Sequence, residues 1–369
     1  MSFVVSSFPK LIYGFGMIIA VTATVSPPQS VQAQTTGYIL TDLSADDATQ
    51  VPCRLNNLGD FVGRGSRGAV AGQIQATVWN RSTLAKKRLG VFTGGDYSSA
   101  TGINDNGEVT GVSNTQTGIV PFLWTATGGL KRVPLLSGDN CGQAISINRN
   151  GHVVGYSSGE TGTKAFFWGR NGSVRRLATL PGGDYSKARD LNDRDEIVGT
   201  SRSSAGPRAV LWTKTGSVRD LGTLPGDYAS EAMAINNNGD VVGYSKGARG
   251  MRAFLWNTAA GMQNVGVLPG GDSSRALAIN DLGEVVGSST SASGDHAFIW
   301  TRQDAMVDLN DASSAALGVV LFEAHAINNK GQIIVMGESN PEIASGAAVH
   351  EDCAPAPPGT FLLTPTVVK

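Results

Sequence analysis

Asparagine follows a leucine or isoleucine at all seven of positions 56, 104, 148, 192, 236, 280 and 328, with successive copies 48, 44, 44, 44, 44 and 48 residues apart. Tryptophan keeps the same phase: Trp79, Trp124, Trp168, Trp212, Trp256 and Trp300 are separated by 45, 44, 44, 44 and 44 residues. Two independent markers sharing one period restrict the chain to architectures assembled from one repeated supersecondary unit.

One copy, from Glu231, reads EAMAINNNGDVVGYSKGARGMRAFLWNTAAGMQNVGVLPGGD. Its pattern predicts strands over Ala232–Asn236, Val241–Gly243, Ala253–Trp256 and Met262–Val267, with a tight turn at Asn236-Asn237-Asn238-Gly239. Helical solenoids fail, because no apolar stripe of period 3.6 survives the interrupting glycines. Glycine supplies 48 of 369 residues and charged residues only 16%, which suits many short strands joined by turns. Four short strands in each unit predict a β-propeller blade.

The strand count predicts how the ring closes. A fourth-strand motif comes first, at residues 38–43, and a third-strand motif comes last, at Thr360–Leu363. The expectation is an all-β, seven-bladed propeller of four-stranded antiparallel blades. Residues 38–43 complete a last blade drawn from about residues 324–364, in a one-plus-three clasp that removes exposed edges. Small residues in the first strand, such as Ala232/Ala234 and Ala276/Ala278, suit crowding near an axis. The Phe and Trp of each AFxW segment share one face and are expected to fill the space between blades.

Residues 1–33 read as a secretory signal peptide: Lys10, an apolar run Leu11–Val25 too short to span a bilayer, and Val31-Gln32-Ala33 before the cut. Residues 34–369 are then one propeller domain, secreted or held in the periplasm or at the cell surface, with no stable membrane span after cleavage. A net charge of −1, from 29 basic and 30 acidic residues, offers no electrostatic basis for nucleic-acid binding. A monomer is expected.

At Asp295-His296-Ala297-Phe298-Ile299-Trp300, and in the recurring KAFFW, RAVLW, RAFLW, AINNNGDVVG and AINDLGEVVG segments, the chain resembles the HAF-repeat family of extracellular bacterial proteins. The resemblance covers essentially the whole chain after the leader. It implies a secreted or surface protein and transfers no catalytic residue. Departures stand at ATVW in the first unit, at Asp195 in place of a turn glycine, and around residues 338–359.

Strand direction places the fourth-to-first and second-to-third loops on one face. That face carries Asp96, Asp139, Asp184, Asp227 and Asp272, with Tyr97, Tyr185 and Tyr228 following three of them. Each Asp either caps a glycine-rich turn or contributes to a cation or polyol site; each Tyr either covers a turn or stacks on a sugar. Cys53 and Cys353 fall on one face of adjacent blades and form a candidate disulfide, leaving Cys141 free. His350-Glu351-Asp352-Cys353 reads as an exposed loop and His325 as a packed strand residue, so no metal site or cofactor is expected. The leading function is a non-enzymatic binding or interaction protein with a polysaccharide or cell-surface protein as partner. The alternative is an extracellular carbohydrate-active lyase or hydrolase with its site on the loop-rich face, drawing on the irregular stretches 44–54, 64–76, 311–323 and 338–359.

Overall fold

A computed structural model describes residues 37–43, 51–66, 74–312, 318–339 and 359–366. The leader at 1–33, Cys353 and the larger part of the irregular stretches lie outside the described residues. The described strands form seven four-stranded antiparallel sheets, numbered here as blades by the chain order of their inner strands. These inner strands are Val51–Leu55, Ser98–Ile103, Asp139–Ile147, Ser186–Leu191, Ala229–Ile235, Ser274–Ile279 and Val319–Ile327. A single helical turn, Leu309–Ala312, precedes blade 7.

Blade 5 shows how the repeat folds. Its strands are Ala229–Ile235, Val241–Gly247, Gly250–Asn257 and Gly261–Gly266. The first three outrun the pattern-based limits, because Gly247 pairs with Gly250 in a tight hairpin that prolongs the second and third strands. The inner strand bulges between Ala232 and Ala234, leaving Met233 as the extra residue. The bulge brings the inner backbone against the second strand: a Cβ on Gly243 would lie 2.0 Å from the Glu231 carbonyl oxygen. That close approach accounts for the glycine of the VVG segment.

The ring closes by the expected clasp. Residues 38–42 pair antiparallel with 359–365, from Tyr38 opposite Pro365 to Asp42 opposite Phe361. The inner strand of this blade begins at Val319, earlier than the sequence pattern indicated. Aromatic residues fill the inter-blade spaces. Phe254 and Trp256 pack in one buried cluster with Val198, Ala209 and Leu221 of blade 4, each such burial contributing roughly 1.5–3 kcal/mol. Serines fasten the crossovers: Ser230 Oγ accepts from the Ala209 N–H at 2.9 Å, and Ser245 Oγ accepts from the Leu224 N–H at 3.0 Å.

The repeated asparagines do more than shape turns. Each Nδ2 donates to the main-chain carbonyl of the equivalent asparagine in the next blade: Asn56 to Asn104, Asn104 to Asn148, Asn148 to Asn192, and so on to Asn328, which donates to Asn56. All seven are buried. Their Oδ1 atoms accept from N–H groups of their own hairpins, as Asn192 does from Arg194 and Glu196. In blades 2, 4, 5 and 6 the second Nδ2 hydrogen goes to an acid four residues on, Glu108, Glu196, Asp240 or Glu284, and in blade 7 to Gln332 Oε1. Blade 3 has His152 at that place. There the carboxylate comes from Asp195 of blade 4, whose Oδ1 lies 2.9 Å from Asn148 Nδ2 and 2.7 Å from His152 Nδ1. Asp195 stands where other hairpins have glycine, with φ 61°.

Candidate functional site

The residue after each ring asparagine rims a cavity of about 180 Å³ at the hairpin end of the axis. This rim is bonded to itself. Arg149 N–H donates to Asp193 Oδ1, Asp193 N–H to Asn237 Oδ1, and Asn237 N–H to Asp281 Oδ1, all within 2.8–2.9 Å. Asn329 N–H continues the belt to Asn57, and Asn57 N–H carries it to Asp105. Arg149 has no acceptor to offer Asp105, and its guanidinium instead lies 3.8 Å from both Asp105 and Asp193.

Leu55, Ile103, Ile147, Leu191, Ile279 and Ile327 line both this cavity and a second one of about 180 Å³ beneath it. They form the neck of one axial channel. Two residues before the ring asparagines, the second chamber is lined by small residues in most blades, but blade 4 supplies Asp190 and blade 1 supplies Arg54. Asp190 accepts from Ser146 Oγ at 2.7 Å and from the Ile235 N–H at 3.0 Å, so it bridges both neighbouring blades. Burial pushes its pKa up, opposed by those hydrogen bonds and the Arg54 charge. Arg54 donates through one terminal nitrogen to the Cys53 and His325 carbonyls, at 2.9 and 3.4 Å.

Charges that change sign from blade to blade occupy the crossover end of the channel. Arg189 grips Glu231 at 2.6 Å, and Tyr244 donates to the other Glu231 oxygen at 2.8 Å. Burial, reinforced by Glu231, pushes Tyr244 up to about 12. Arg275 binds Glu323 at 2.6 Å, and its charge acts on both Tyr244 and His325. His325 occupies the second of two bulges in the inner strand of blade 7. Its Nε2 stands 3.1 Å from Glu323 Oε1, yet it is buried without an aligned hydrogen bond. Burial lowers its pKa, Arg54 and Arg275 add to the effect, and Glu323 opposes it.

The five sequence-selected aspartates each turn to their own blade. Asp96 accepts from Asn114 Nδ2 and Asp139 from Ser157 Oγ, both at 2.5 Å. Asp227 pairs with Arg252, and Asp272 accepts from Thr290 Oγ1 at 3.1 Å. Asp184 is 79% exposed, 3.7 Å from Arg202. Among the described residues no group of three or more His, Cys, Asp or Glu stands close enough to hold a metal ion. Tyr97 and Tyr185 are half-buried, while Tyr228 is 55% exposed. Lys187 Nζ lies 5.7 Å from the Tyr185 ring and 4.2 Å over that of Tyr156. Cys53 is a free thiol whose Sγ faces the Ala100 carbonyl at 3.4 Å, and burial raises its pKa. Sequence reasoning passed over Arg54, Asp190, Glu231 and Glu323, and took His325 only as packing. Arg54, Asp190 and His325 stand in columns that most other blades fill with small or apolar residues, whereas Glu231 and Glu323 share a column with Lys187 and Arg275 and are marked only by their sign.

No protein-family model matches the chain, and no curated protein matches it. Solved propeller structures do. TolB from Acinetobacter baumannii is 14% identical over 68% of this chain, with a TM-score of 0.49, and the present chain spans 63% of its length. Virginiamycin B lyase from Staphylococcus aureus is 11% identical, covering 89% of this chain and 98% of its own, with a TM-score of 0.52. A streptogramin B lyase is 13% identical with the same coverage and a TM-score of 0.54. At these identities the likeness is one of fold. Among the described residues no helix is long and apolar enough to cross a membrane.

Proposed function

We propose that this chain is a secreted, non-enzymatic binding protein whose ligand engages the crossover end of the axial channel. One observation carries the reading. The asparagine ring and hairpin rim repeat one set of bonds around the axis, whereas at the opposite end Arg189, Glu231, Arg275, Glu323 and His325 change identity and sign from blade to blade, and His325 Nε2 has no aligned partner. A repeated belt gives a ligand no direction, while a charged, asymmetric rim gives both attraction and orientation. An extracellular polysaccharide or a cell-surface protein is the ligand of this reading, and exposed Tyr228 beside Asp227 supplies a stacking surface for a sugar.

The test is a glycan and surface-protein binding screen on residues 34–369, repeated with Arg275→Ala and with Tyr97, Tyr185 and Tyr228 replaced together by Ala. Retention that falls about tenfold or more with Arg275→Ala supports the channel-end reading. Retention lost only with the tyrosine variant moves the site to the outer loops, and retention by neither parent nor variants overturns the proposal.

The unbonded His325 Nε2 beside Glu323 favours a second reading, a carbohydrate-active lyase with His325 as its base. Product formation from a uronate-containing polysaccharide, abolished by His325→Ala, distinguishes it from simple retention.

A further inference from the structure

We propose that the inner chamber of the channel is a binding site for a free aliphatic α-amino acid. The inference rests on the reading of the channel as a ligand site, but not on which macromolecule the rim holds. The chamber wall divides by chemistry around the axis. Blades 1 to 4 contribute Arg54, Thr101, Ser146 and Asp190, whereas blades 5 and 6 contribute Met233 and Leu277. A volume of about 180 Å³ accepts a small molecule and excludes a folded peptide or a sugar chain.

The two charges set the ligand's class. Arg54 and Asp190 belong to blades three apart, and among the described residues neither is bonded to the other. Arg54 engages one terminal nitrogen with carbonyls, leaving a guanidinium edge suited to a carboxylate. Asp190 accepts from Ser146 Oγ and from the Ile235 and Leu191 N–H groups, and a carboxylate has about four acceptor sites. A ligand ammonium beside Asp190 and a ligand carboxylate on Arg54 compensate both enclosed charges at once. A dianion or a dication would leave one of them opposed, and a neutral sugar would compensate neither. An aliphatic side chain on the same molecule then faces Met233 and Leu277, where its burial is favourable.

The experiment titrates the intact chain after its leader, residues 34–369, with L-leucine, L-leucinamide and N-acetyl-L-leucine by calorimetry. Binding of L-leucine with an affinity about tenfold or more above that of either derivative is the expected result, since each derivative removes one charge. Asp190→Asn keeps an acceptor for the Ile235 N–H and a partner for Ser146, so it serves as a folded variant, and it is expected to weaken L-leucine about tenfold. Arg54→Met is expected to do the same. No binding of L-leucine at millimolar concentration, equal binding of all three compounds, or unchanged binding in both variants overturns the proposal. L-leucine binding in a chain that retains no glycan or surface protein leaves the chamber assignment standing and removes the macromolecular partner.

Discussion

Asn328 Nδ2 donates to the Asn56 carbonyl oxygen across 3.0 Å, although the two residues stand 272 positions apart in the chain. The bond is the same one that joins every other neighbouring pair, so the seam between the last and first blades is indistinguishable at the axis from the seams the chain crosses in sequence. The ring is thus closed at its centre by side chains and at its periphery by the clasp.

Asn192→Ala should cost about 2–3 kcal/mol of stability. It strips the Arg194 and Glu196 N–H groups of their acceptor and the Asn236 carbonyl of a donor in a buried place. Urea unfolding measures the loss, and Lys131→Ala on the exposed surface should stay within about 0.5 kcal/mol of the parent.

His152 and Asp195 should behave as one unit. Asp195→Gly relieves a left-handed backbone but removes an acceptor from Asn148 and the partner of His152, for a net loss of about 1 kcal/mol. His152→Glu alone sets two carboxylates together and also destabilises. The double variant recreates the Glu and Gly arrangement of blades 2, 4 and 6, so it should return to within about 0.5 kcal/mol of the parent. A double-mutant cycle that finds additivity would refute the exchange.

Stability should fall on mild acidification because of His325. Its folded pKa lies below the ordinary 6.5, so the unfolded chain binds the proton first and stability rises with pH between the two values. The contribution is whole above about pH 6.5 and is lost as pH falls toward the folded value. In His325→Gln this slope should flatten, as read from unfolding midpoints between pH 7 and pH 5.

Removing residues 34–43 should cost at least about 3 kcal/mol, because Tyr38 and Leu43 leave buried positions. It also bares the edge of the strand at 359–365, and size-exclusion chromatography should show association of the shortened chain.

The blade number, the clasp and the between-blade aromatics were legible because they repeat: Trp256 and its equivalents keep one spacing, and the displaced strand at Tyr38 announces the closure. The role of Asn192 was only half legible. Its turn follows from local chemistry, but its bond to Asn236 needs the lateral spacing of blades, which no single unit contains. Strand lengths were underread where polar residues such as Lys246 continue a ladder that apolar alternation does not mark. The channel charges were least legible, since Asp190 and Arg54 look like exceptions in a column of small residues until curvature sets them around a shared space. The five aspartates show the converse. Their regular spacing suggested convergence, yet each leans on its own blade through partners such as Asn114 and Thr290.

The pairing of residues 38–42 with 359–365 also bears on the order in which the molecule can be made. The strand at 38–42 is made before its partner, so it stays unpaired until synthesis reaches residue 365. Closure of the ring therefore reports that synthesis has passed residue 365: a product cut short before residue 359 leaves the strand at 38–42 without its partner and should be open to proteolysis.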